Sequence, residues 1–184
     1  EPRCREALAG SREVLGDGHP DTLKCAGNLA ACLVDVSKYI QDEAAHLRCL
    51  REAEPLYANA AAGFARGLGS THPSTLSYVS ERARVLMDLG RASEAEEIQR
   101  DSVSACRAAL GDSHPETLIG ITHLAGVLRA QEKLAEAEPL AREVLAAWRS
   151  HEAGDKVPRN TLTSLNILCD LLHSQGKDAE AEPL

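Results

Sequence analysis

Residues Leu110–Leu118 read LGDSHPETL, and the chain spells nearly the same nine residues twice more, as LGDGHPDTL at Leu15–Leu23 and LGSTHPSTL at Leu68–Leu76. A recurring phrase of this kind marks a repeated structural unit, and the distance between copies gives the unit's length. The threonine falls at Thr22, Thr75, Thr117 and, in a degraded fourth copy, Thr161, at steps of 53, 42 and 44 residues. A second landmark, the later glutamate of Glu-Ala-Glu, falls at Glu54, Glu96, Glu138 and Glu182, at steps of 42, 42 and 44. Two independent landmarks therefore share one period.

Each threonine opens an amphipathic helical pattern, here called helix A. Positions one, four, eight and eleven residues later hold Leu23, Ala26, Ala30 and Leu33; Leu76, Val79, Ala83 and Leu86; Leu118, Ile121, Ala125 and Leu128; and Leu162, Leu165, Cys169 and Leu172. That spacing keeps one helical face apolar, with a small residue in the third slot where a neighbouring helix can come close. A second pattern, helix B, follows each Glu-Ala-Glu, as in Glu94–Leu110 and Glu136–Trp148. The glutamates of these motifs are expected to favour the positive end of the helix dipole.

The quoted phrase then reads as a junction. Gly16, Gly69 and Gly111 stand where helix B must stop and supply a left-handed cap residue. Pro20, Pro73 and Pro115 stand in the first turn of helix A, where a missing N–H costs nothing. The turns inside each pair, DLGRAS at 88–93 and SQGKDA at 174–179, are short, so the paired helices pack antiparallel.

Composition agrees. Of 184 residues, 43% are hydrophobic but only five are aromatic, which suits closely packed helices better than sheets. No apolar run reaches the roughly 20 residues of a membrane span, so no membrane insertion is expected. The net charge of −8 argues against nucleic acid as a partner, which would call for clustered Lys and Arg. Six cysteines without Cys-x-x-Cys spacing point to a reducing intracellular compartment, cytoplasmic or organellar.

The motifs LG-x-x-HP-x-TL, Asn28-Leu29-Ala30 and Glu136-Ala137-Glu138-Pro139-Leu140 resemble the tetratricopeptide (TPR) family, and more closely its kinesin light chain-like branch. The resemblance covers essentially the whole chain. It implies an all-α fold, a right-handed α-solenoid of antiparallel helix pairs, with helix A lining a concave groove. The organisation expected is one array: helix B at 1–16, repeats at 17–69, 70–111 and 112–154, and a partial repeat at 155–184. Both ends fall inside repeats, so the chain reads as a slice of a longer array.

Two stretches break the pattern. The first repeat carries about eleven extra residues, 41–51 (QDEAAHLRCLR). Pro55 follows them, and a proline inside a helix costs about 3 kcal/mol or kinks it, so a separate or kinked segment ending near Arg51 is expected. The junction HEAGDKVPRN at 151–160 lacks the His-Pro pair.

No motif for catalysis, a metal or a cofactor emerges. His19, His72 and His114 recur one per repeat, too far apart to share an ion, and read as junction residues. Cys32 and Cys169 occupy slots held elsewhere by Val, Leu or Ala and read as small core residues, which leaves Cys49 as the thiol to test for reactivity. No enzyme is expected.

The function that remains is binding. Kinesin light chain-like arrays hold extended peptides with an asparagine ladder and basic residues on the helix A face. The positions this resemblance carries over are Lys24, Asn28, Arg84, His123, Arg129 and Asn166, with Arg84 and Arg129 placed to meet a partner carboxylate. Glu81 and His123 interrupt the ladder. Arg82 stands where other repeats have Leu29, Leu124 and Leu168, and is expected to snorkel to solvent or to reach a carboxylate across the groove. The expected partner is a protein, through a peptide or helical segment. Three roles remain open: a noncatalytic adaptor, a fixed subunit of a large assembly, and a regulatory array attached to a catalytic domain.

Overall fold

Each copy of the nine-residue phrase is a helix stop followed at once by a helix start. The computed structural model describes residues 1–151 and 159–181, with side chains for 1–150 and 162–181. Its helices run α1 Pro2–Leu15, α2 Pro20–Ser37, α3 Glu43–Leu68, α4 Pro73–Asp88, α5 Ala92–Leu110, α6 Pro115–Ala130, α7 Leu134–His151, α8 Arg159–Ser174 and α9 Asp178–Ala181. No strand occurs among the described residues. Most of the irregular junction, at 152–158, lies outside them, as does Glu182.

The junction chemistry is more specific than its sequence suggests. Leu15, Leu68 and Leu110 end α1, α3 and α5, and the glycine after each has positive φ, at 83°, 101° and 90°. Gly16 and Gly69 combine this with ψ of 164° and 157°, so they are extended rather than left-handed helical, a conformation open essentially to glycine alone. The histidine is then the N-cap. Nδ1 of His19, His72 and His114 accepts the backbone N–H of Asp21, Ser74 and Glu116 at 3.2, 3.1 and 3.2 Å, answering one orphan donor of each new helix. The prolines take the first helical position. Thr75 and Thr117, buried beneath, donate from Oγ1 to the carbonyls of Gly69 and Gly111 at 2.8 Å. Thr22 instead reaches the Ser11 carbonyl at 3.2 Å.

The left-handed residue belongs to the other turn, inside the pairs α4–α5, α6–α7 and α8–α9. Gly90, Glu132 and Gly176 have φ of 74°, 60° and 70°. The next N–H returns to a buried leucine carbonyl, Arg91 to Leu86 at 2.8 Å, Lys133 to Leu128 at 3.0 Å and Lys177 to Leu172 at 2.8 Å. This is the Schellman closure. At Glu132 the closure is made without glycine.

Two compact units divide the chain, Glu1–Ile98 and Gln99–Leu184, and α5 runs through the boundary. In the first, α2 packs on α1 and α3, and α3 on α4. In the second, α6 packs on α7 and α8, α7 on α8, and α8 on α9. The third slot of helix A is fully enclosed at Ala30, Ala83 and Ala125, so its small size sets how near the neighbouring helix lies. Gly63 serves the same end on α3, because a Cβ there would meet Leu23 Cδ1 at 2.4 Å. Leu162 departs from the pattern and is half exposed.

The extra residues of the first repeat do not form a separate segment. They are the beginning of α3, which runs unbroken for 26 residues with Pro55 inside it. Asp42 caps its start, accepting the Ala45 N–H at 3.0 Å. Leu50, Ala53 and Tyr57 are all buried on one side of the helix, and that burial offsets the hydrogen bond lost at Arg51. Pro139 likewise stands in the second turn of α7 rather than the first.

The sequence reading of two charged residues also changes. Glu52 and Glu54 lie well inside α3, away from its N-terminus. Their carboxylates instead hold repeats together. Glu54 Oε1 accepts Arg82 Nε at 2.6 Å, so of the two expectations Arg82 reaches a carboxylate, that of the adjacent α3, rather than solvent, and Arg91 approaches the same carboxylate at 4.0 Å. Glu138 does the same in the second unit, meeting Lys177 at 2.8 Å and Arg142 at 2.8 Å. The first glutamate of the motif is paired too, in Arg5–Glu52, Arg100–Glu136 and Arg142–Glu180. Glu94 binds Arg91 of its own turn instead, for the position equivalent to Arg100 is Ala58.

These contacts can be tested by substitution. His114→Ala removes the cap and lowers stability by about 1 kcal/mol, whereas His114→Asn retains an acceptor and costs much less; urea unfolding of the three proteins measures both. Lys177, then Gln175 and Arg142, hold the Glu138 carboxyl down at about 2, against 4.5 for an ordinary glutamate. Because the folded value is the lower one, its stabilisation is complete above about pH 4.5 and drains away as pH falls toward 2. Glu138→Gln is therefore less stable than the parent at pH 7, and the gap closes on acidification. A gap that stays constant with pH contradicts this role for the pair.

Candidate functional site: a tyrosine-floored cleft on the first unit

Helices α2 and α4 carry the exposed helix A residues of the first unit. On α2, Asn28, Ala31 and Asp35 repeat at helical spacing and face solvent. On α4, Glu81 and Arg84 lie one turn apart. With Gly27, Tyr57 of α3 and Tyr78 of α4 these residues line an open cleft of about 310 Å³.

The floor is aromatic. Tyr78 stacks on Phe64 with centroids 5.5 Å apart and planes 16° from parallel, and it stands 6.3 Å from Tyr57 in a tilted pair. Three of the five aromatic side chains of the whole sequence thus converge on one place. Gly27 makes room for them, since a Cβ at that position would meet Tyr78 Cε1 at 2.3 Å. Burial first, and the Glu81 carboxylate after it, push the Tyr57 hydroxyl up to about 12, so the floor is neutral at any physiological pH.

The rim is charged and largely self-paired. Arg84 Nη2 donates to Glu81 Oε2 at 2.5 Å, and Arg84 Nη1 lies 3.9 Å from Asp88. Asp35 accepts Lys38 Nζ at 2.7 Å, which holds its carboxyl below the usual range. Three carboxylates face one guanidinium and one ammonium here. A partner carboxylate would have to displace Glu81 to reach Arg84.

Of the residues expected from sequence, Asn28 and Arg84 meet in this cleft. Lys24 shares α2 but pairs with Asp21 at 3.5 Å and is not part of the lining. His123 and Arg129 stand exposed on α6 and Asn166 on α8, all in the second unit. Arg129 lies 3.4 Å from Asp170, so it too has an internal carboxylate. The repeat pattern does not single out the tyrosine floor, although the concentration of scarce aromatics at Tyr57, Phe64 and Tyr78 is a signal that could have found it. Elsewhere, no three His, Cys, Asp or Glu side chains among the described residues are gathered where they could hold a metal ion. No described helix is long and apolar enough to cross a membrane.

A family model described as tetratricopeptide repeat matches residues 77–150, and a second model with the same description matches residues 1–21. Among solved structures, two of a Podosopora anserina protein, described as a putative kinesin light chain with nearly identical TPR-like repeats, superpose with TM-scores of 0.75 and 0.73. They are 25% and 24% identical to this chain, and the matches cover 98% of it and 79% of theirs. BtubC (BKLC) from P. vanneervenii superposes with a TM-score of 0.71 at 16% identity, over 98% of this chain and 66% of that one. No curated protein matches the chain. The fold expected from the repeats, an all-α solenoid of TPR-like helix pairs, is the fold of these structures. With its period, its junctions and these matches in agreement, the chain belongs to the tetratricopeptide-repeat family and is kinesin light chain-like in its repeats.

Proposed function

We propose that this chain is a noncatalytic protein-interaction scaffold that holds an extended segment of a partner protein in the cleft between α2 and α4. The observation that carries this reading is the cleft itself, an aromatic floor with a polar rim on the helix A face. Tyrosine and arginine are among the residues that most often dominate binding energy at protein interfaces. The Asn28 side chain, a donor and an acceptor on one amide, suits the backbone of an extended peptide. An apolar or aromatic side chain of the occupant rests against Tyr78. The surplus of carboxylates at Asp35, Glu81 and Asp88 favours a neutral or basic segment over an acidic one.

A second reading, a fixed subunit of a larger assembly, draws on apolar side chains exposed outside the cleft, Tyr39 at 86% and Val14 at 79%. Salt separates the two. A polar, exchangeable cleft releases its partner as ionic strength rises, whereas a large apolar interface does not.

The test is co-purification of the tagged protein from its native source, with parent, Asn28→Ala and Glu81→Lys compared across a salt titration. The scaffold reading predicts partners at less than equal stoichiometry, released by moderate salt and reduced at least about tenfold in both variants. Partners that survive high salt at constant stoichiometry and ignore both substitutions overturn it in favour of the fixed subunit.

A further inference from the structure

Two thiols face each other where α1 packs on α2. Cys4, in the first turn of α1, and Cys32, in the last half of α2, bring their Sγ atoms to 3.1 Å across 28 residues of sequence. Both are free and only partly buried. A disulfide spans about 2.05 Å, so the sulfurs need close by only about 1 Å to be joined. Other cysteines are placed differently. Cys25 contacts the Ser11 hydroxyl at 3.4 Å, and Cys106 is fully enclosed in the slot shared with Phe64 and Trp148. The slot of Cys32 predicts a core residue like Val85 and Val127, but α1 brings it a sulfur instead.

We propose that Cys4 and Cys32 are a modification site, forming a reversible intrachain disulfide when the protein meets a hydroperoxide. The chemistry balances in two steps. The Cys4 thiolate attacks the terminal peroxide oxygen, the O–O bond breaks, and the departing alkoxide takes up a proton to leave as an alcohol. Cys4 is now a sulfenic acid. The Cys32 sulfur attacks the Cys4 sulfur, the S–O bond breaks, and the hydroxide leaves as water with the Cys32 proton. Two thiols lose two electrons, and the peroxide gains them. The hydrogen bond to Cys4 and then burial raise the Cys32 thiol, so it keeps the proton that the departing hydroxide takes up in the second step.

The consequence falls on α1. This helix buries one side chain, Leu8, and is otherwise held by the exposed pair Arg5–Glu52 and by contacts of Ser11 with Thr22 and Cys25. Exposed ion pairs hold little. A covalent bond from Cys4 to α2 therefore changes the attachment of α1 more than that of any better-buried helix. The bond also lands on the helix that carries Asn28, Ala31 and Asp35 of the cleft.

The experiment exposes the reduced protein to hydrogen peroxide and follows intact mass, a peptide map and hydrogen exchange. The expected result is a loss of about 2 Da, a mapped Cys4–Cys32 link, and amide exchange in α1 slowed at least about tenfold. Dithiothreitol reverses all three. Cys4→Ser and Cys32→Ser each abolish the link and the slowing, while Cys49→Ser keeps both. The wild-type map decides the matter even if a variant misfolds. Cys4 and Cys32 recovered as separate thiols or sulfinic acids, or linked to other cysteines, overturns the proposal.

Discussion

The structure depends on a hydroxyl placed under a glycine carbonyl. At two junctions a buried threonine donates to the glycine that has just ended the preceding helix, Thr75 to Gly69 and Thr117 to Gly111, both at 2.8 Å. A chain that reverses through an extended, positive-φ glycine leaves backbone groups without helical partners, and each buried one costs free energy comparable to a lost hydrogen bond. The threonine answers the carbonyl, the histidine ring answers an N–H of the next helix, and the proline removes an N–H that would have had no partner. Nine residues thus stop one helix and start the next with most of their polar groups satisfied. The leucine after each threonine is then delivered to the core.

A stop and start fixed to the residue also fixes which face each helix A presents. On α2 that face carries Asn28, Ala31 and Asp35, and on α4 it carries Glu81 and Arg84. The opposite face carries the alanines Ala30 and Ala83, whose small size brings neighbouring helices together. The cleft follows from both. Gly27 lets the Tyr78 ring lie against α2, and α3 supplies Phe64 and Tyr57 beneath it. The carboxylates of Glu54 and Glu138 tie the turn of one repeat to helix B of the previous one, so the charge that dominates the composition is spent largely on internal pairing. A net charge of −8 is accordingly a poor guide to the partner.

Much of the fold was legible because its determinants are local. Glycine and proline punctuate the backbone by their own φ preferences, and the apolar slots of helix A recur with the helical period, so element order, the helix starts at Pro20, Pro73 and Pro115 and the buried faces at Leu33, Leu86 and Leu128 could be read directly. What escaped depends on contacts distant in sequence. Pro55 argued locally for a break, but burial of Leu50, Ala53 and Tyr57 keeps α3 whole. Arg82 in a leucine slot could be expected to seek solvent or a carboxylate, but that the carboxylate is Glu54, 28 residues away, comes only from packing. Histidine is not a usual N-cap, so His19, His72 and His114 could be placed at the junction without their hydrogen bonds being foreseen. The site was half legible. Asn28 and Arg84 follow from the helix A register, while the tyrosine floor and the Cys4–Cys32 approach are products of packing between helices.

The central functional claim is that partners dock in the cleft between α2 and α4, and photo-crosslinking tests it most directly. A photoreactive amino acid would replace Ala31, which lines the cleft, or Gly10, which faces open space on α1. Each protein would be irradiated with the partners that co-purify from the native source. Docking in the cleft predicts a covalent adduct from position 31 and none from position 10, with the crosslinked peptide mapping to one short segment of the partner. Equal adducts from both positions, or an adduct from position 10 alone, would contradict it.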